Sequence, residues 1–178
     1  MEYQEKNSES SNLKTTYVVE EQKIISLNKF VFLSIISFGV YQIWWIYKAW
    51  RFYQQKDNLD INPALRTIFS IIFLIPLFNK ILLSAKKTGY NESYSAILLF
   101  VGFWVLNILS QLPDPFWLIS ILGFVFLIAP FKAFDFARQN STDFIVTKQT
   151  SYSGRQIALI VFGVIFWCLV LFGLTVPD

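Results

Sequence analysis

Six side chains of the first apolar segment could together bind a ligand. They follow one another at alternating intervals of three and four residues, as Ser34, Ser37, Tyr41, Trp44, Lys48 and Arg51. On one continuous helix these intervals put all six on a single face, which we call the polar seam. Hydroxyl groups along it would form a polar path to two cations, which suits an anionic ligand. The alternative, which we favour, is a helix-packing surface that ends in an interfacial anchor.

Three cations, Lys48, Arg51 and Arg66, lie near one predicted membrane boundary and could bind a lipid phosphate. No recognisable nucleophile or base stands beside them, so a lipid-modifying enzyme is the weakest of the functions considered. The chain contains no histidine, which excludes His-based triads and HExxH zinc sites. It has no Walker loop, no GxGxxG motif and one cysteine, Cys168. We therefore expect no catalytic residue, no metal ligand and no cofactor.

No ionisable residue lies in the middle of the clearly apolar segments, although proton- or ion-coupled transporters normally need one there. This argues against active transport. The leading hypothesis is a non-enzymatic multi-pass protein that works by helix or lipid contact, such as an adaptor or immunity-like component. A passive channel or small-solute carrier that uses the polar seam is the alternative. The expected partners are membrane lipids, with other membrane proteins or further copies of the chain as alternatives, and no nucleic acid.

The composition indicates which elements position these residues. Hydrophobic residues make up 54% of the 178 and charged residues 15%, whereas a soluble domain carries about 25% charge. Long uncharged runs approach the roughly 20 residues that a membrane-spanning helix requires. We predict an all-α membrane protein, a bundle of four to five transmembrane helices, with approximate spans 30–47, 64–85, 95–112, 116–134 and 156–176. A polar tail, 1–23, is expected to be disordered and to precede a single transmembrane domain, 24–178.

The depth of segment 64–85 stays open in the sequence. Its uncharged core, from Thr67 to Asn79, would give a helix of only about 20 Å. Pro76 interrupts the hydrogen bonding of that helix. The segment either spans the membrane with the help of its flanking cations or is a short re-entrant or interfacial helix.

Aromatic and basic residues also bear on position and orientation in the membrane. Both placements of 64–85 put 80–94 and 132–155 inside, and they put the turn at 111–116 and the C-terminus outside. The side of the N-terminal tail stays open. The expected interfacial anchors are Trp45, Tyr47, Trp50, Arg66 and Trp117.

Two motifs resemble those of a group of uncharacterised small bacterial inner-membrane proteins. The second motif is the run from Leu112 to Ser120. The first comprises Gly39, Tyr41, Trp45, Tyr47, Lys48, Trp50, Asn62, Pro63 and Arg66. The start of the first motif is similar to that of DUF4234-type domains of unknown function. The resemblance implies a multi-pass protein of the bacterial inner membrane and brings no biochemical activity with it. Ala49 stands where the group often has Asn, which weakens the case for a polar site there.

Overall fold

The computed structural model describes residues 20–114, 116–142 and 144–175. Within these ranges the chain is mostly helical, with a single pair of short strands, which confirms the predicted helical class. The elements are β1 (Gln22–Ile24), α1 (Leu27–Ile36), α2 (Val40–Lys56), α3 (Pro63–Ile68), α4 (Ser70–Lys87), α5 (Ala96–Ile108), α6 (Val125–Gln139), β2 (Val146–Lys148) and α7 (Gly154–Gly173). Two 3₁₀ helices, Leu109–Gln111 and Phe116–Phe124, follow α5 and precede α6.

Two helical stretches of the described chain are long and apolar enough to cross a bilayer, judged by length and composition. They are Phe116–Gln139, which joins a 3₁₀ helix to α6, and Gly154–Gly173, which is α7. The predicted bundle of four to five spans is therefore supported only in part. The first two predicted spans are each divided into two shorter helices, and the third lies in the apolar helix Ala96–Gln111, which is shorter than the two candidate spans.

The strand pair brings the starts of two distant helices together. β1 pairs in parallel with β2, with Gln22 opposite Val146. Because β1 leads into α1 and β2 leads into α7, both helices begin at the same end of the molecule. The predicted disordered tail is wrong at its last residues, since 22 and 23 belong to β1. Residues 1–19 of that tail lie outside the described residues.

The first predicted span, 30–47, is not one helix, because the chain reverses at 37–39. Phe38 and Gly39 have φ angles of 50° and 86°, in the left-handed region that ends helices. The N–H of Gly39 donates to the carbonyl of Ser34 at 3.0 Å, and that of Phe38 donates to Ile35 at 3.2 Å. This is the Schellman pair of hydrogen bonds, which closes a helix before the chain turns away.

After this reversal α2 runs back along α1, and we call residues 27–56 the first hairpin. Phe30, near the start of α1, packs against Trp45 of α2 with ring centroids 5.8 Å apart. Farther along α2, Arg51 forms an ion pair with Glu20, which lies just before β1. The hairpin therefore starts and finishes at the end of the molecule that carries the strand pair.

The second predicted span, 64–85, is also divided, and we call residues 63–87 the second hairpin. α3 begins at Asn62, whose side chain accepts a hydrogen bond from the Ala64 N–H at 3.0 Å. The chain breaks at Phe69 (ψ 38°) and continues as α4. Lys80 of α4 then pairs with Asp57, Nζ to Oδ2 2.6 Å, at the end of α2. The segment thus leaves the end of α2 and returns to it.

The remaining helices run the length of the molecule. α5 lies antiparallel to the Phe116–Gln139 stretch, with Gly102 facing Phe126 and Gly123 facing Asn107. Their turn is closed by the Trp117 indole N–H, which donates to Asp114 at 2.5 Å. α7 lies at the edge, since 11% of its most apolar window is buried, against 33% for the Phe116–Gln139 stretch.

Candidate functional site

The hairpin divides the predicted polar seam between two helices. Ser34 lies on α1 and is fully buried, while Ser37 ends that helix. The Ser37 hydroxyl accepts the N–H of Tyr41 at 3.0 Å, and so fixes the start of α2. The Tyr41 hydroxyl in turn accepts a hydrogen bond from the Gln156 side chain of α7 at 3.2 Å. Ser37 and Tyr41 thus join the hairpin to itself and to α7, whereas the buried Ser34 hydroxyl has no hydrogen-bond partner among the described residues.

A turn surrounded by apolar groups requires a hydrogen-bond acceptor for each of its backbone N–H groups, and the reversal at 37–39 meets this requirement. An unpaired backbone N–H in such surroundings costs several kcal/mol. Each N–H from residue 37 to residue 43 donates to an oxygen of the hairpin itself. The donors are Ser37, Phe38, Gly39, Val40, Tyr41, Gln42 and Ile43. The turn therefore needs no water to satisfy its amides.

α7 packs closely against the end of α1. The Cα of Gly163 lies so near the backbone of Ile36 that an added Cβ would be 2.9 Å from its carbonyl carbon and closer still to the oxygen. The Trp167 indole N–H donates to the carbonyl of Ile35 at 3.4 Å. Phe38, at the tip of the turn, packs against the Trp167 ring in a tilted arrangement with centroids 4.6 Å apart. The first hairpin is thus anchored on the middle of α7.

Two of the predicted interfacial anchors are core residues. Trp45 is 5% exposed and Trp50 is 1% exposed, so neither ring can lie against lipid headgroups. The sequence predicts both at the membrane boundary because a straight helix over 30–47 would end beside them. The hairpin instead turns both rings into the core. Tyr47 stacks on the exposed Trp44 ring at 5.4 Å, and the Arg66 guanidinium lies 4.5 Å from the Trp50 ring. The remaining anchor, Trp117, is half-buried beside Asp114.

A cavity lies between the first hairpin, α6 and the start of α7. Its volume is about 730 Å³, and we call it the basic cleft. Its inner wall is apolar and includes Trp45, Phe131, Phe134 and Leu159. Its rim is charged and carries Glu20, Glu21, Lys23, Lys48, Arg51, Arg138 and Arg155. The seam residues Tyr41, Trp44, Lys48 and Arg51 all line this cleft, so the structure brings together the α2 part of the predicted set.

The rim carries more positive charge than its carboxylates neutralise. Arg51 pairs with Glu20, and Arg138 pairs with Asp135, which lies behind the wall. Lys48 and Arg155 form no ion pair or hydrogen bond with any residue that the structure describes. The Arg155 guanidinium lies 6.0 Å from the Trp44 ring of α2. Two uncompensated cations therefore flank the opening.

The pKa of Lys48 reflects these surroundings. Partial burial lowers the pKa of its ammonium group below the ordinary value, Glu20 opposes this, and Arg51, Arg138 and Arg155 lower it further. The three neighbouring guanidinium groups repel a further positive charge and attract a negative one. An anion placed between Lys48 and Arg155 would relieve that repulsion.

The start of α7 adds polar backbone to the same opening. The Ser153 hydroxyl accepts the Gln156 N–H, while the Gln156 side chain accepts the Ser153 N–H at 2.9 Å. This capping box follows the Ser-x-x-Gln spacing that precedes an apolar run, a signal that sequence reasoning could have used. Gly154 lies in open space at the first turn.

The lining of the cleft combines apolar side chains with charged ones. Among the described residues there is no group of three or more His, Cys, Asp or Glu side chains that could hold a metal ion. Its two carboxylates, Glu20 and Glu21, share a rim with five cations. Sequence reasoning missed Glu20, Arg138 and Arg155, because only the hairpin and the strand pair bring these distant positions to one opening.

Comparison of the chain with protein-family models, curated proteins and solved structures gives no match. The resemblance to small bacterial membrane proteins therefore stays a prediction, and the function must be argued from the geometry.

Proposed function

We propose that this chain is a non-enzymatic, multi-pass integral membrane protein that acts through contacts with lipids and with other membrane helices. Three stretches would cross the bilayer, namely Phe116–Gln139 and Gly154–Gly173, which have the length to do so, and the shorter apolar helix Ala96–Gln111. The exposed side chains of α7 support this, since they include Val161, Phe162, Ile165, Leu169 and Phe172. Apolar surface on this scale needs lipid or another apolar partner to cover it.

Both hairpins would be re-entrant and would enter from the same side. α1 has ten residues, so it is about 15 Å long, half of the roughly 30 Å hydrocarbon core. Its last residue, Ile36, faces Gly163 in the middle of α7. The turn would therefore lie near the midplane, where its fully paired amides are needed.

The observation that carries this proposal is that each hairpin leaves and returns to one end of the molecule. With that arrangement every Lys and Arg residue of the described chain falls on one side, since none occurs at 111–116 or after Arg155. The two arrangements predicted from the sequence, in which 64–85 either spans the membrane or does not, each leave some Lys and Arg residues on the opposite side. By the positive-inside rule this side is cytoplasmic. The N-terminal segment then lies inside, while the 111–116 turn and the C-terminal end lie outside.

The two leaflets would hold unequal amounts of protein. The cytoplasmic leaflet would contain three spans together with the inserted parts of α1, α2, α3 and α4, whereas the outer leaflet would contain the three spans alone. A wedge of this kind fits a bilayer that is convex on its cytoplasmic side. The chain would thus act by occupying and spacing lipids of one leaflet. We place it in the bacterial inner membrane, on the strength of the motif resemblance.

Reconstitution tests this proposal. The labelled chain would be incorporated into a mixture of small and large vesicles, and an impermeant quencher would sort the vesicles by orientation. We expect a higher density per membrane area on small vesicles when the basic side faces outward, and the reverse preference when it faces inward. Equal densities in both orientations would contradict the wedge. Release of the chain from native membranes by alkaline carbonate would contradict membrane insertion itself.

A further inference from the structure

We propose that the basic cleft binds the phosphate headgroup of an anionic phospholipid, with Lys48 and Arg155 as its principal cations. The inference rests on the proposed function because it requires this end of the molecule to lie at the membrane surface. It adds a defined ligand class and a defined site to that function.

The balance of charge identifies the ligand as an anion. Of the five cations on the rim, Arg51 and Arg138 pair with Glu20 and Asp135, and the one further carboxylate, Glu21, leaves a net positive charge among Lys23, Lys48 and Arg155. Lys48 and Arg155 are not paired within the described chain, and they belong to α2 and α7, on either side of the opening. A phosphate between them would accept hydrogen bonds from both side chains, which is a charge-assisted and therefore strong arrangement.

The backbone at the start of α7 favours the same ligand. The first N–H groups of a helix have no partner within the helix and carry its positive dipole. Gly154 adds no side chain there, and nothing lies within 4 Å of the position where its Cβ would be. A phosphate oxygen could therefore reach this helix turn while it contacts Arg155.

The walls of the cleft indicate a lipid rather than a free anion. A volume of about 730 Å³ falls within the range of about 300–1,000 Å³ that is typical of sites for whole organic ligands. Val40 and Trp44, which also line the cleft, are 49% and 40% exposed. They form an apolar exit between α2 and α7, on the side from which acyl chains would approach.

The test uses the full chain in a neutral detergent and follows tryptophan fluorescence, since Trp44 and Trp45 line the cleft. The probes are short-chain phosphatidylglycerol, phosphatidylcholine of the same chain length, and inorganic phosphate. The test variant combines Lys48→Gln with Arg155→Gln. The matched control combines Lys86→Gln with Lys87→Gln, which removes the same charge from the exposed end of α4, away from the cleft.

We expect phosphatidylglycerol to bind more tightly than phosphatidylcholine. The test variant should lose affinity for phosphatidylglycerol by about 30-fold, as expected for two basic residues near an anionic headgroup. The control should lose less than threefold. If the double substitution does not fold, Arg155→Gln alone serves as the second variant and should lose about fivefold, whereas Lys48→Arg, which keeps the charge, should retain binding.

Three results would overturn the proposal. Equal losses in the test and control variants would indicate diffuse attraction to the basic surface. Equal affinity for the two lipids would indicate uptake of apolar chains alone. Displacement of the lipid by inorganic phosphate at an equal concentration would assign the site to a soluble anion. Carbonate extraction of the same variants keeps this test separate from the proposed function, because the loss of a headgroup site should leave every variant embedded.

Discussion

Substitution of Gly163 by alanine tests how the first hairpin is held in the molecule. An alanine Cβ at this position would lie 2.9 Å from the carbonyl carbon of Ile36 and closer to its oxygen, whereas ordinary contacts begin at 3.4 Å. The end of α1 must therefore move away from α7 by more than half an ångström. The move also lengthens the hydrogen bond from the Trp167 indole to the Ile35 carbonyl, which is already 3.4 Å long.

The energy of this displacement can be compared with the intrinsic preference of alanine for helices. Overpacking against backbone atoms this close costs about 2–3 kcal/mol, the upper part of the usual range. Exchange of glycine for alanine inside a helix contributes about 1 kcal/mol in the opposite direction. We expect Gly163→Ala to lower the free energy of unfolding by about 1–2 kcal/mol. Gly173→Ala, at the other end of the same helix and in open space, should leave it unchanged or raise it.

The assay is denaturant unfolding of the full chain in detergent micelles, followed by far-ultraviolet circular dichroism. Comparison of the two alanine variants removes the helix-propensity contribution that both share. The specific result is that Gly163→Ala lowers the free energy of unfolding whereas Gly173→Ala does not. If Gly163→Ala proves as stable as Gly173→Ala, α1 does not end against α7, and the first hairpin is wrongly placed.

Three further substitutions test the turn and the core. Ser37→Ala removes the acceptor for the Tyr41 N–H and should cost about 1 kcal/mol, while Ser37→Thr should restore most of it. Gly39→Ala forces a non-glycine residue to a φ of 86° and should cost about 1–2 kcal/mol. Asp135→Asn leaves the Arg138 guanidinium, whose side chain is 9% exposed, without its charged partner and should cost about 3 kcal/mol. The same unfolding assay measures each, and a wild-type value for any of them would contradict the contact concerned.

The helical class was predictable because it follows from composition and from long uncharged runs. The path of the first segment was not predicted, and that of the second stayed open between a span and a re-entrant helix, since length alone does not distinguish a span from a hairpin that covers half the distance twice. The clue was present at Gly39, a glycine inside an apolar helical pattern that could have been interpreted as a helix end. The neighbouring Phe38 argued against a helix end at this point, because phenylalanine seldom adopts the left-handed conformation.

The candidate site could be predicted only in part. Intervals of three and four residues correctly grouped Trp44, Lys48 and Arg51, which lie on α2 and line the basic cleft. The same intervals wrongly added Ser34 and Ser37, because the rule assumes that the helix continues through residue 39. Arg155 could not be included at all, since it is more than a hundred residues away in the sequence and reaches the cleft only through the packing of α7.

The central claim is that both hairpins enter and leave from the basic side, and cysteine accessibility tests it most directly. Cys168 would first be replaced by serine, and single cysteines would then be introduced at the exposed positions Glu21, Asp60, Asp114 and Ser151. In sealed, oriented membrane vesicles, an impermeant maleimide should label Glu21→Cys, Asp60→Cys and Ser151→Cys from one side and Asp114→Cys from the other. Labelling of the Glu21 or Asp60 position together with Asp114 would mean that one of the hairpins spans the membrane, and would contradict the account.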